Sequence, residues 1–309
     1  MNLKKPKFWD YKKPNFISYI LYPVSLLIRL KNLLKKKRQN NFKIKTICVG
    51  NIYLGGTGKT SLCIKINQIL SKKNIRSCFI KKHYTNQKDE QKLLANIAPV
   101  FSSFNRLDAI KEAELNNFHY GILDDGLQDN SVNYDMSIVC FNNLNWIGNG
   151  MTIPAGPLRE SLSTLKKYNH LFINGNLENL NDLKNQILNI NSEIEIHVGK
   201  YEISNLNEFN LDENYLVFSG IGNHRTFISM LKSYKFKIIK EIEFSDHYNY
   251  SSKDIDRIIS IANNLKCKIL TTEKDVMRLE NKNLDKIKFI KSNLQILDED
   301  KFCNAILKL

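Results

Sequence analysis

The sequence has no Cys-x-x-Cys pair and no group of histidines at metal-ligand spacing, although it holds six of each residue. That argues against a structural zinc module. Cys48, Cys63, Cys78, Cys140, Cys267 and Cys303 are scattered, several in apolar strand-like runs, as buried reduced thiols are. A reduced, cytoplasmic setting is expected. No secretory signal is expected either, since no small-residue cleavage site follows the apolar stretch near the start. That stretch, Phe16 to Ile28, is too short to cross a bilayer, which takes about 20 residues. Internal repeats and long low-complexity tracts are absent. Gly220-Ile221-Gly222 lacks the third glycine of a dinucleotide fingerprint, because Arg225 stands there, and reads as a turn before a helix.

Acidic residues are scarce at the start. Residues 1 to 38 carry eleven Lys or Arg against Asp10 alone. The whole chain of 309 residues has a net charge of +15, which points to an anionic partner: nucleic acid, an acidic membrane or a phosphorylated substrate. Hydrophobic content of 42% and charged content of 25% are ordinary for a globular protein, and the length suggests about two domains. Ile17, Ile20, Leu21, Val24, Leu27, Ile28 and Leu34 recur at helical spacing, with Trp9, Phe16, Tyr19 and Tyr22 near the entry. Basic residues cover the rest, as a helix lying in an anionic membrane interface requires. Packing of that helix on the protein's own core is the competing reading. Pro23 is expected to kink the helix or mark its first turn.

What is present is led by Gly55-Gly56-Thr57-Gly58-Lys59-Thr60. It follows the apolar run Ile44 to Val49 and precedes the helical pattern Leu62, Ile64, Ile66, Ile69 and Leu70. A strand, a glycine-rich turn, Lys-Thr and a helix cradle nucleotide phosphates: backbone N–H groups converge on the anion and the helix N-terminus adds its dipole. Lys59 supplies a point charge and Thr60 a hydroxyl for Mg²⁺. The early glycine of the usual pattern is replaced by Tyr53.

From Lys43 onward strand-like and helix-like pieces alternate, which implies a largely parallel sheet flanked by helices. We expect an α/β protein with a phosphate-loop core over 39–205, a smaller α/β domain over 206–309, and the basic amphipathic segment 1–38. Residues 206 to 214 read as a linker. The strand Tyr120 to Leu123 runs into Asp124-Asp125-Gly126, and acids at that sheet edge hold Mg²⁺ in phosphate-loop enzymes. A Gly- and Pro-rich loop, 148–160, delivers Arg159 and Glu160, and arginine binds phosphate bidentately. Asp246-His247 is a further candidate, because histidine titrates near neutrality.

In order along the chain, these segments resemble the tetraacyldisaccharide 4′-kinase family. The resemblance rests on Val49-Gly50-Asn51 through Thr60, Asp124-Asp125-Gly126-Leu127-Gln128, Pro154 to Glu160, Asp246-His247 and Thr271 to Asp275. The family's phosphate loop also lacks the early glycine, so Tyr53 supports the match. Departures fall at Lys82-His83-Tyr84, at Lys88-Asp89-Glu90-Gln91 and at Asp129-Asn130-Ser131. The resemblance implies transfer of the γ-phosphate of ATP to the 4′-hydroxyl of tetraacyldisaccharide 1-phosphate, an anionic glycolipid. It implies nucleotide binding by Gly55, Gly56, Thr57, Gly58, Lys59, Thr60 and Ser61. Thr60, Asp124, Asp125 and Glu160 would organise Mg²⁺, and Asn51, Gln128 and Arg159 would meet substrate. Asp89 would act as general base with His247 pairing with it, which needs the two domains to close over the nucleotide. The enzyme is expected at the cytoplasmic face of the bacterial inner membrane, peripheral, monomeric and without nucleic acid. A phosphate-loop NTPase of another kind, acting in partitioning, metal insertion or on nucleic acid, shares the loop. It needs neither the 154–160 loop nor the basic N-terminus.

Overall fold

The computed structural model describes residues 5–33, 42–82, 88–129, 131–279 and 284–309. An N-terminal helix, α1 (Phe16–Leu33), is followed by β1 (Lys45–Gly50), α2 (Lys59–Lys72), β2 (Ser77–Lys82), α3 (Lys88–Ala95), β3 (Val100–Ser103), α4 (Arg106–Leu115), β4 (Tyr120–Asp124) and β5 (Met136–Asn142). Then come β6 (His170–Asn174), α5 (Leu180–Leu188), β7 (Glu195–Ile203), β8 (Asn214–Ser219), α6 (His224–Ser233), β9 (Lys237–Glu243), α7 (Ser252–Asn264) and β10 (Lys268–Thr272). The last elements are α8 (Glu273–Val276), β11 (Ile287–Ile290), β12 (Ser292–Ile296) and α9 (Glu299–Leu307). Contacts divide the chain into two compact units, Lys5–Gly199 with Gln295–Leu309, and Lys200–Leu294.

The larger unit is built on an eight-stranded sheet ordered β12-β7-β6-β5-β1-β4-β2-β3. β1 is buried from Thr46 to Gly50 and pairs in parallel with both β4 and β5. An uninterrupted apolar run is what a central parallel strand needs, because both of its faces are covered. Ile47, Cys48 and Val49 are fully buried, and burial of an aliphatic side chain such as Ile47 or Val49 contributes about 1.5–3 kcal/mol. The chain leaves β4 on one side of β1 and returns as β5 on the other. Ligands of open α/β sheets sit outside the strands' carboxyl ends at that reversal. Register pairs Val49 with Asp124, so the acid stands beside the residue that leads into the glycine-rich loop.

The smaller unit has a four-stranded parallel sheet ordered β11-β10-β8-β9. Alternate residues of β8 feed opposite cores: Tyr215 and Val217 pack with Phe227 and Leu231, Leu216 and Phe218 with Tyr250 and Ile258. Ser251 caps α7 in a reciprocal capping box with Asp254.

Three expectations change. The C-terminal stretch does not all belong to the second domain: β12 joins the larger sheet, and Lys65 Nζ binds Glu299 Oε2 on α9 at 2.6 Å. The 206–214 segment is not a free linker, because Phe209 is buried and Leu206 and Leu211 pack on the same core. Pro23 does not mark the first turn of α1, because the helix runs from Phe16 through it. All six cysteines are free and five are buried, and burial pushes the Cys78 thiol up to about 12.

The apolar surface of α1 faces outward. Phe16, Tyr19, Ile20, Leu27 and Leu30 are exposed, while Ser18 and Ser25 are buried, alone among the described side chains of the helix. Ser25 Oγ donates to Thr152 O at 2.9 Å and accepts from Ala155 N at 3.2 Å. Asn149 Nδ2 donates to Ser18 Oγ at 3.0 Å, and Trp9 Nε1 donates to Pro154 O at 3.1 Å. The helix is thus fixed by hydroxyls to the 148–160 loop. Among the described residues no helix is long and apolar enough to cross a membrane.

Candidate active site

The loop between β1 and α2 is shaped by Gly58, the helix N-cap, whose φ of 80° lies in the left-handed region that costs glycine nothing. No side chain caps α2, which leaves its first-turn amides available to an anion. Asparagines at the carboxyl ends of the neighbouring strands fasten the loop: Asn174 Nδ2 donates to Thr57 O at 2.5 Å, and Asn142 Nδ2 to Asn174 Oδ1 at 2.9 Å. Asn51 Nδ2 reaches Gly55 O at 3.2 Å. Tyr53, in place of the early glycine, is buried and bridges to Leu158; its hydroxyl donates to Asp10 Oδ1 at 3.2 Å and also meets Lys5.

Asp124 ends β4 beside this loop. Its Oδ2 accepts from Thr60 Oγ1 at 3.1 Å and pairs with Lys81 Nζ at 3.3 Å, and all three residues are buried. Its Oδ1 is buried with no hydrogen-bond partner, as is Thr57 Oγ1. A buried carboxylate oxygen without a donor is costly, and a hard cation satisfies it. Hydroxyl and carboxylate oxygens at the mouth of a phosphate-binding loop are the donor set Mg²⁺ takes alongside substrate phosphates. The residues present therefore fit a nucleotide and its magnesium ion.

Asp125 is held differently. Arg159 Nη1 lies 2.8 Å from its Oδ1 and Lys59 Nζ 4.0 Å from the same oxygen, while Arg106 Nη2 donates to its carbonyl at 2.6 Å. Burial pushes this carboxyl up, but Lys59, Arg159 and Arg106 together hold it below the usual carboxylate range. Arg159 Nη1 also donates to Gln128 Oε1 at 3.0 Å. Gln128 Nε2 donates to Asn51 O at 2.9 Å and to Glu160 Oε1 at 3.0 Å. The structure thus brings Lys59, Thr60, Asp124, Asp125, Gln128, Arg159 and Glu160 into one network. Within it Asp124 carries the unpartnered oxygen, whereas Asp125 faces cations and Glu160 faces an amide. Asn51 is fully buried and shapes the loop.

Two residues of this network were not singled out by sequence. Lys81 is buried on β2 against Asp124, and Arg106 opens α4 and binds Asp129 Oδ2 at 2.7 Å. The departure at Asp129 thus has a structural use: it anchors the arginine that holds Asp125. Asn130, His83 and Tyr84 lie outside the described residues. Asp89 falls in the first turn of α3, and its side chain lies outside what is described.

In the smaller unit His247 has a φ of 56° and its N–H donates to Gly220 O at 3.0 Å. Arg278 Nη2 approaches its Nδ1 at 3.4 Å, and Asp246 Oδ1 lies 3.8 Å from its Nε2. Asp275, fully buried, accepts from Gly220 N, Tyr250 Oη and Thr272 Oγ1. The Thr271 to Asp275 motif therefore braces the turn that carries His247.

A glycine-rich loop opening a helix, with an acid on the adjacent parallel strand and its oxygen aimed at the loop, defines a phosphate-loop nucleotide-binding protein. Comparison with known proteins narrows the class. The family model described as tetraacyldisaccharide-1-P 4′-kinase matches residues 17–309. A tetraacyldisaccharide 4′-kinase of Pelagibacter ubique is 56% identical over 310 residues, covering 100% of this chain and 99% of its own. One from Rickettsia canadensis is 32% identical over 305 residues, covering 92% and 90%. In fold the chain is similar to the LpxK of Aquifex aeolicus, solved in complex with ATP, with a TM-score of 0.66 at 22% identity over 95% of this chain and 99% of that one. The chain belongs to the tetraacyldisaccharide-1-P 4′-kinase family. It is a kinase, a phosphotransferase with a hydroxyl acceptor.

Proposed function

We propose that the protein transfers the γ-phosphate of ATP to the 4′-hydroxyl of tetraacyldisaccharide 1-phosphate, giving the 4′-phosphorylated lipid A precursor. Family membership names the substrate class, and the observation that carries the site is the unpartnered Asp124 Oδ1 beside Thr60 and the phosphate loop. Bound ATP supplies the phosphoryl group, and Mg²⁺ neutralises the charge that builds on it. Lys59, the α2 amides and Gly55 to Ser61 hold the phosphates. Thr60 and Asp124 would hold the metal, and Asp125 and Glu160 belong to the same network of side chains. Asp125 keeps Lys59 and Arg159 together so that both cations stand at the loop. Asn51 fixes the phosphate loop at Gly55, and Gln128 orients the Arg159 that meets substrate. Asp89 takes the proton of the attacking hydroxyl, and His247 pairs with it during turnover.

The outward apolar surface of α1 and the basic residues around it support docking on an anionic membrane. A peripheral monomer at the cytoplasmic face of the inner membrane places the site where an anionic lipid lies, with no nucleic acid involved. The test is transfer of labelled γ-phosphate to tetraacyldisaccharide 1-phosphate in detergent micelles. Labelled lipid is expected from the parent chain, and Lys59→Ala and Asp89→Ala are expected to lose about 10²–10⁴-fold in turnover. ATP hydrolysis without labelled lipid would refute the acceptor, and near-parental turnover by Asp89→Ala would refute the base.

A further inference from the structure

At the amino ends of two neighbouring strands of the larger sheet, three side chains converge that the kinase reaction leaves unused. His170 is the first residue of β6, and parallel register sets it against Glu195, the first residue of β7. His197 follows two positions later and so projects from the same face. His170 Nδ1 and His197 Nε2 are 3.3 Å apart, and one ligand atom from each of the three residues falls within 4.8 Å of the others. Asp124 ends β4 and Thr60 opens α2 beyond the carboxyl end of β1, so this cluster, at the amino ends of β6 and β7 in the same parallel sheet, is separate from the phosphate site.

The spacing has a specific meaning. Two imidazole nitrogens on one tetrahedral ion, each about 2.0–2.1 Å from it, stand about 3.3–3.4 Å apart. His197 is 1% exposed, its ring is held edge-on by Phe302 of α9, and its Nδ1 is buried without a hydrogen-bond partner. All of its polar interaction therefore runs through Nε2 toward His170. Glu195 is exposed and His170 half-buried, which leaves a path for an ion from solvent. Two imidazoles and one carboxylate suit a borderline transition ion such as Zn²⁺ or Co²⁺; Mg²⁺ prefers oxygen alone. We propose that His170, Glu195 and His197 form a binding site for one divalent transition-metal ion, stapling β6 to β7. Three protein ligands leave a fourth position to water. Sequence spacing hides such a site, because its ligands meet only when the two strands pair.

The experiment uses the full, untagged chain in saturating Mg²⁺, which occupies the oxygen site, and titrates Co²⁺ while recording ligand-field absorption, followed by Zn²⁺ in a thermal melt. One Co²⁺ per chain with a tetrahedral spectrum, and a melting temperature raised by Zn²⁺, are expected. His170→Gln and Glu195→Gln, both away from the packed core, are expected to weaken Co²⁺ binding by at least about 10–100-fold, the cost of losing even an outer-shell partner. No stoichiometric binding, or equal binding by parent and both variants, would overturn the proposal and leave the two imidazoles as a hydrogen-bonded pair.

Discussion

Lys81 and Asp124 form an ion pair at 3.3 Å in which the side chains are 3% and 2% exposed. Removing the Lys81 ammonium leaves the buried Asp124 carboxylate without its counter-charge, at about 3–5 kcal/mol. Lys81→Met should lower the urea midpoint accordingly. Asp124→Asn should also destabilise and should abolish Mg²⁺-dependent turnover. The double variant should be less unstable than the sum of the two, because the loss of their mutual attraction is then counted once. Additive losses in denaturant unfolding would show that the pair is uncoupled.

Helix α1 separates docking from loop support. Ile20 and Leu27 are 59% and 67% exposed, so Ile20→Glu and Leu27→Glu should leave the melting temperature unchanged. Each should reduce binding to anionic vesicles about ten-fold or more, the equivalent of one apolar side chain withdrawn from lipid. Ser25→Val should do the reverse. It strips Ala155 N of its Ser25 partner and leaves Thr152 O only Gly156 N, costing about 1–3 kcal/mol, and should slow turnover even in micelles because Arg159 rides on the same loop. Sedimentation with vesicles, set beside micellar turnover, separates the two effects.

These pairs also mark what the sequence could and could not disclose. Thr60, Lys59 and Asp124 were legible because a glycine-rich turn and a strand-end acid are local patterns tied to strand and helix periodicity. Lys81 was not, being one more lysine among 46 Lys and Arg. Only the pairing of β2 with β4 reveals it as buried. Arg106 read as an ordinary start of a helix. The apolar stripe of α1 was visible, but which face was buried was not: Ser18 and Ser25 are small enough for close approach and carry hydroxyls the loop backbone needs. At the C-terminus, β12 is too short to announce its sheet, and α9 owes its place to Lys65 and the Phe172–Phe302 contact.

Acid should weaken the site through Asp125. Its folded-state carboxyl titrates below the unfolded value despite burial, because Lys59 and Arg159 favour the anion. Its contribution to stability is therefore complete above the unfolded carboxylate range, about 3.9, and is lost as pH falls through the lower folded value. Asp125→Asn should flatten this acid limb of the urea midpoint against pH. Arg159→Gln should move the Asp125 titration upward in a ¹³C-carboxyl NMR series. An unmoved titration would mean that Lys59 and Arg106 suffice.

Arg278 sets the proton on His247. A guanidinium has donors only, so its Nη2, 3.4 Å from His247 Nδ1, requires a lone pair there and leaves the neutral ring's proton on Nε2. The same arginine donates to Gly220 O at 2.8 Å, the carbonyl that also receives the His247 N–H, so ring and backbone are fixed by one side chain. In ¹⁵N NMR the parent chain should show the Nε2–H tautomer of His247, and Arg278→Met a mixture of both. If His247 assists Asp89 as proposed, Arg278→Met should lower kcat more than it raises KM, since a misplaced proton spoils proton transfer rather than substrate binding. Arg278→Lys keeps a donor but loses the fork and should recover the tautomer only in part. A His247 that stays wholly Nε2–H in Arg278→Met would assign tautomer control to another neighbour.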